Sequence, residues 1–472
     1  FLGTMPDDEH ESGDTMASAA AAAATSASRR AAKKAVDRSW LSNLLAAHAP
    51  KLDPAFPCRT DPVLRGKALV VAPMVDQSDL PFRLLCRRYG SNLAYTPMIH
   101  ARLFCERRQY RDRFWDFVEG VPEADRPLVA QFCGSDPQFM LPAMKAIQHA
   151  VDAVDINCGC PQGIARKGKY GAFLLESPAL PDLVRSLTAE LDVPVTVKVR
   201  LLPSGVEESL RLYERLVDAG AALITVHGRT RHQNKQLTGA SDWDAIRRTV
   251  ERIGHRVPVL ANGSIANLDD VRDCLRQTGA DGVMASEALL EHPALFMETN
   301  TRTTGGRRTG PGRVQLAREY LDLCRDHPPE VGGQASGLKC VRAHVHKMLH
   351  ADLQGDCVDV RDLVAFHGKT MEVMYEAVQR VEESQSERGH KVEEEQLSWY
   401  IRHRHLIHED GENDKKTENE MAAKKAKVTE TAKTAKTAQD KAEEQEADAA
   451  LGAGFFGADD GEQCGGCGDG DY

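Results

Sequence analysis

Four short stretches place polar, proton-carrying side chains where a core strand would carry valine. The first is Asp155-Ile156-Asn157-Cys158-Gly159-Cys160-Pro161, an apolar run that ends in a cysteine braced by glycine and proline. Gly159 permits close backbone approach and Pro161 stiffens the turn beyond it, so the Cys160 thiol is expected at the mouth of a strand. A free thiol with a pKa of about 8.5 is mostly protonated at neutral pH and can serve as a general acid. The other stretches carry Lys198 in Pro194–Arg200, His227 in Thr225–Arg229 and Asn262 in Leu260–Gly263. A lone cysteine is more often a buried structural thiol, and a lone histidine more often a core residue. The shared position of all four at strand ends is what favours a common site.

These side chains need a frame. Apolar, strand-like runs occur at 69–74, 93–99, 128–132, 153–157, 194–201, 223–227, 258–262 and 282–286. Amphipathic, helix-like segments at 80–89, 137–150, 178–191, 206–219, 242–253 and 268–278 lie between most of them. Strand–helix alternation implies parallel pairing. Eight units in this length predict an α/β fold, a (β/α)8 TIM barrel. The alternative, an open doubly wound sheet, requires a glycine-rich dinucleotide fingerprint after the first strand, and Ala72-Pro73-Met74-Val75-Asp76 is not one. Alternate barrel residues face inward. With Val195, Val197 and Val199 outward, Thr196, Lys198 and Arg200 face in. Catalytic groups of such barrels gather at the C-terminal strand ends, where Pro73, Met74, Gln131, Asn157, Cys160, Lys198, His227 and Asn262 converge.

The 472-residue chain divides further. Residues 1–65 read as a disordered extension and a proline-containing lead-in, 66–300 as the barrel and 301–313 as a Gly/Arg-rich linker. Residues 314–383 carry helical periodicity only and read as a small helical domain. Residues 384–472 are charged and poor in aromatics and read as a disordered tail. The net charge is −10, but Glu409–Tyr472 holds 17 acids and 8 bases, so the rest is nearly neutral. Net charge therefore argues neither for nor against a nucleic-acid partner. No apolar run reaches membrane-spanning length, and the scattered cysteines fit a reducing compartment. Cys464 and Cys467 have metal-ligand spacing but no second pair, so no metal is expected. The expected compartment is the cytoplasm. Lys424-Lys425-Ala426-Lys427 raises the nucleus as an alternative, and the basic, alanine-rich stretch from Met16 a mitochondrial leader.

Lysine, histidine, glutamine and asparagine together can hydrogen-bond a flat heterocycle with carbonyls and ring nitrogens. A lysine near developing negative charge suits a reduced flavin. The turns Asn262-Gly263-Ser264 and Ala285-Ser286-Glu287 follow the last two strands, where these barrels commonly bind phosphate. FMN therefore fits better than a nicotinamide dinucleotide as the resident cofactor.

The stretches Ala72–Arg83, Gln131-Phe132, Asn157–Pro161, Lys198–Arg200, His227–Thr230 and Asn262-Gly263 together resemble a tRNA-dihydrouridine synthase, closest to the eukaryotic branch acting on positions 16 and 17 of the tRNA D-loop. The resemblance implies an FMN-bound barrel, NADPH as reductant and a helical tRNA-binding domain. It implies that Pro73, Met74, Val75, Gln131, Lys198 and His227 line the flavin. Asn262, Gly263, Ser264, Ser286 and Glu287 would meet its phosphate, and Cys160 would be the proton donor. Many members carry Gly-Arg where this chain has Ser286-Glu287, and a carboxylate is a poor phosphate ligand.

The implied reaction delivers hydride to C6 of uracil and the Cys160 proton to C5. Asn157, Arg166, Lys167 and Arg229 are the candidate substrate contacts. A stacked uracil must be swung out of the tRNA to reach such a pocket. Lys339, Arg342, His346 and His350 share one helix face by their spacing and, with Lys347, are expected to grip tRNA phosphates. The expected state is a monomer. Two alternatives stand: an FMN barrel acting on a free pyrimidine, and an RNA-binding relative without chemistry.

Overall fold

The computed structural model describes residues 37–49, 60–112, 123–233, 238–298, 310–329, 337–355, 357–367 and 370–388. The expectations for residues 1–36, most of the linker and the tail beyond 388 lie outside them. Nine strands run in the order β2-β1-β9-β8-β7-β6-β5-β4-β3, and β2 also pairs with β4. They are β1 Ala68–Val71, β2 Leu93–Tyr95, β3 Ile99–His100, β4 Leu128–Cys133, β5 Ala153–Cys158, β6 Val195–Leu201, β7 Ile224–Thr230, β8 Val259–Asn262 and β9 Gly282–Ala285. The β2–β4 pairing closes a ring of eight parallel strands, and β3 is a short extra strand on β4. This is the expected TIM barrel.

Helices between the strands begin and end where local chemistry dictates. Asp242 accepts from the Ala245 N–H at 2.8 Å and opens Trp243–Ile253. Asn267 accepts from the Asp270 N–H at 2.9 Å and opens Leu268–Thr278. Gly279, at φ 67°, ends that helix in the left-handed conformation that glycine adopts without strain.

The strand alternation sorts side chains as the sequence predicts. Val195, Val197 and Val199 belong to the apolar shell between strands and helices. Inside, the lower layer is apolar, with Val70, Tyr95, Val129, Leu223, Leu260 and Met284. Above it lie the buried polar residues Gln131, Asp155, Thr196 and Thr225.

The lead-in contains an element that its sequence does not announce. Helix Trp40–His48 stops the N-terminal end of the barrel, with Leu41 and Leu45 buried against the interior layer. The Trp40 indole donates to Ala222 O at 2.8 Å. Arg38 donates to Gly254 O and pairs with Asp281 at 2.9 Å. Trp40→Phe removes one hydrogen bond while keeping most of the packing. It is expected to cost about 0.5–1.5 kcal/mol, read as a lower urea midpoint by circular dichroism.

The helical segment after the barrel comprises Arg313–Asp326, Leu338–Met348, His350–Gln354, Val358–Asp362 and Met371–Arg388. Its last helix passes the expected boundary at 383. Leu316, Tyr320, Val341, Val345, Leu349, Met374 and Val378 form its buried core, as their spacing predicts. It docks on the loop and helix after β1. Tyr320 donates to Asp79 Oδ2 at 3.0 Å, His344 Nε2 lies 3.4 Å from Asp79 Oδ1, and His344 stacks on Phe82 at 4.5 Å.

This docking corrects the expected phosphate-gripping face. Of its residues, Lys339 is exposed, but His350 is buried and Arg342 and His346 are half-buried. Lys347 turns toward the barrel and donates to Gln77 Oε1 at 3.0 Å. The spacing argument places residues on one face; it does not say that the face meets solvent. Among the described residues no helix is long and apolar enough to cross a membrane.

A candidate active site at the C-terminal mouth of the barrel

A cavity of about 330 Å³ opens at the C-terminal strand ends, within the roughly 300–1,000 Å³ of small-molecule sites. Every strand end from β4 to β9, with the loop after β1, contributes to it. Pro73, Met74, Val75, Gln131, Asn157, Cys160, Lys198, His227, Arg229, Asn262, Gly263, Ser286 and Glu287 all line it. Three expected residues do not. Arg166 and Lys167 are exposed on the short helix Gly163–Lys167. Ser264 lies behind the wall, accepting from the Ser241 N–H at 2.7 Å and from Arg229 Nη2 at 3.3 Å.

The β5 end is built by hydrogen bonds. Asn157 Oδ1 accepts from the N–H groups of Gly159 and Cys160, at 3.1 and 3.0 Å. Its Nδ2 donates to Gln131 Oε1 at 2.8 Å, and Gln131 Nε2 donates to Asp155 Oδ2 at 2.8 Å. The Asn157 amide thus fixes the Cys160 loop, and its polar atoms are engaged by protein. Cys158 points the other way, into the apolar shell, while Cys160 faces the cavity.

Asp155 stands in the sequence only as the head of the motif, yet it is the buried acid beneath the site. Burial pushes it up to about 6, opposed by bonds from Thr196 and Gln131 and by the charge of Lys198. The signal for it is there in the sequence: it shares the inward phase of Asn157. Arg200, expected to face inward but not as a site residue, lines the cavity and donates from Nε to Gly159 O at 2.8 Å. Gln77, Met98, Gln233 and Thr238 also line it. No strand periodicity singles them out.

Burial sets the protonation states. Lys198 is lowered to about 8, mainly by desolvation and then by Arg200, so it is largely an ammonium at neutral pH. Desolvation raises the Cys160 thiol, against a backbone hydrogen bond from Gln162 and the charges of Arg200 and Lys198. It therefore stays protonated. His227 is held well below its ordinary value by burial and by Arg200, Lys198 and Arg229. Arg229 Nη1 lies 3.1 Å from His227 Nε2. Arginine only donates, so Nε2 accepts and the neutral ring carries its proton on Nδ1. The mouth thus combines one protonated thiol, a neutral imidazole and three cations on adjoining strands.

The sequence profile of the dihydrouridine synthase (Dus) family matches residues 70–380. A Saccharomyces cerevisiae protein named tRNA-dihydrouridine(16/17) synthase, NAD(P)(+), is 39% identical over 297 residues, 63% of this chain and 68% of the relative. A rat protein named as a synthase-like protein of the same (16/17) class is 44% identical over 292 residues, 62% of each chain. A Schizosaccharomyces pombe synthase of the same name is 39% identical over 281 residues, covering 59% and 68%. The matched region contains the barrel beyond its first residues, the cavity wall and the helical segment as far as the middle of its last helix, so the chain belongs to the dihydrouridine synthase family.

Proposed function

We propose that this cavity holds FMN and that the chain reduces the C5=C6 bond of uridines at positions 16 and 17 of the tRNA D-loop, with NADPH as reductant. The observation that carries the reading is the protonated Cys160 thiol on the same cavity wall as Lys198, His227 and Arg200. The donor set fits a flavin. Lys198 and the His227 Nδ1–H can donate to ring carbonyls and nitrogens, while Ala72, Met74 and Met284 give an apolar surface for a flat ring. Gly263, at φ 106°, passes so close to Ser241 that a Cβ would lie 2.8 Å from its Oγ, so the turn after β8 presents bare backbone to the cavity.

When bound, the flavin supplies hydride for C6 of uracil. The chain's own residues do the rest. Negative charge develops at C5 and at the C4 carbonyl. The π pair at C5 takes the Cys160 proton, leaving a thiolate that solvent reprotonates. Lys198 and Arg200 favour that thiolate as it forms. Asn157 holds the loop so that the thiol keeps its place. The base must be swung out of the RNA to enter, and the surface offered to tRNA is the helical segment beside the mouth, with Lys339 exposed, together with Arg166 and Lys167, exposed on the short helix after β5.

The purified protein should be yellow. Lys198→Met should weaken FMN retention by about 10–100-fold, the loss of a charge-assisted hydrogen bond, measured by absorbance after dialysis. Unchanged occupancy and unchanged NADPH oxidation would remove Lys198 from the site. Unmodified tRNA compared with free uridine decides the substrate: equal turnover on both would favour a free-pyrimidine enzyme.

A further inference from the structure

The Ser286–Glu287 corner has the wrong charge for a phosphate. Glu287 lines the cavity just beyond the end of β9, where a carboxylate would repel a phosphate. The structure supplies a cation there from another part of the chain. The short helix Glu287–Glu291 packs against helix Leu338–Met348 of the helical segment. From that helix Lys347 reaches the barrel and donates to Gln77 Oε1 at 3.0 Å. Gln77 and Glu287 both line the cavity, so the ammonium stands just behind this part of the wall, against the Gln77 amide. Burial lowers Lys347 to about 8, and the charge of the Glu287 carboxylate opposes that shift. An ammonium that loses most of its water needs an anionic partner, and Glu287 supplies one.

Resting on the FMN reading above, we propose that Lys347 completes the phosphate end of the flavin site, turning an anionic corner into one that accepts a phosphate monoester. Docking of the helical segment and closure of the cofactor site are then one event. The Glu287 carboxylate holds the ammonium in place, and the ammonium cancels the repulsion that Glu287 alone would exert on the ligand. A point charge suits this task, since a phosphate dianion needs no fixed fork geometry from a lysine.

The test compares FMN with riboflavin, which lacks the phosphate. Flavin is removed from the full chain, and both ligands are titrated by quenching of flavin fluorescence. Lys347→Met should weaken FMN by about 10–100-fold and leave riboflavin within about twofold, while Lys347→Arg retains most of the affinity. Equal weakening of both ligands, or no weakening of FMN, overturns the proposal. Glu287→Gln guards against a misfolded lysine variant. With Lys347 intact and the carboxylate gone, FMN should bind several-fold more tightly, and a failure to tighten also overturns it. If the wild-type chain binds neither ligand, the flavin reading itself fails, and that result is distinct from these.

Discussion

Cys160→Ala is expected to retain flavin and to consume NADPH in a single half-turnover at the wild-type rate, yet to lose uridine reduction by about 10²–10⁴-fold, the usual worth of a general acid. The thiol faces the cavity and is held protonated by burial. Its loop is fixed by Asn157, not by the sulfur, so removing Sγ leaves the backbone in place. Cys158→Ala is the control. That residue is fully buried in the outer apolar shell and should alter stability more than turnover. A thiol acting as the acid must be protonated, so on the proposed mechanism uridine reduction should fall as pH rises through a thiol pKa above the ordinary thiol range. Dihydrouridine counted in the tRNA by mass spectrometry reads the first effect. Wild-type turnover in the Cys160 variant would remove the residue from the chemistry.

Asp125→Ala should be the most damaging single change to the fold. Asp125 is completely buried and receives two guanidinium groups. Arg83 donates to Oδ2 at 2.9 and 2.6 Å, and Arg87 donates to Oδ1 at 2.9 Å. Arg83 is itself fully buried, and Arg87 nearly so. The pair of arginines stands on the helix after β1, so the carboxylate ties that helix, and with it the Pro73–Val75 wall of the cavity, to the start of β4. Removing the carboxylate leaves buried charge uncompensated, which costs about 3–5 kcal/mol. Breaking the exposed Lys145–Glu190 pair should cost no more than about 1 kcal/mol. Urea denaturation of Asp125→Ala and Glu190→Ala measures the contrast. Equal midpoints would mean that the three charges are better hydrated than their burial implies.

The barrel and the inward phase of Lys198 and His227 are legible in the sequence because a strand has only two faces. Once Val195, Val197 and Val199 fill the outer shell, the residues between them have one place to go. The alternation carries no such information about loops, so it marks none of Gln77, Gln233 and Thr238. The helix Trp40–His48 is hidden for a different reason. Leu41 and Leu45 are its only buried residues, too short a stripe to stand out beside Pro54, Pro57 and Pro62. Lys347 escapes the spacing argument because helix Leu338–Met348 is wedged between the barrel and the other helices. Helical spacing assigns a residue to a face but is silent on how many faces are covered.

The helix that stops the barrel has a temporal consequence. Its partners are far ahead of it along the chain: Ala222 lies 182 residues on, Gly254 216 and Asp281 243. At about 5–20 residues per second of synthesis, on the order of 10–50 s separate the emergence of Arg38 from that of Asp281. Throughout that interval Trp40, Leu41 and Leu45 have no seat, because the interior layer they cover does not yet exist. The strand β1 waits as well, since its neighbour β9 is the last of the ring to be made. The first described helix of the chain is therefore among the last elements to dock. Non-local closure of this kind makes for slow folding, and a nascent chain halted before β9 has a gap in the ring between β1 and β8, with its own stopper still loose beside it.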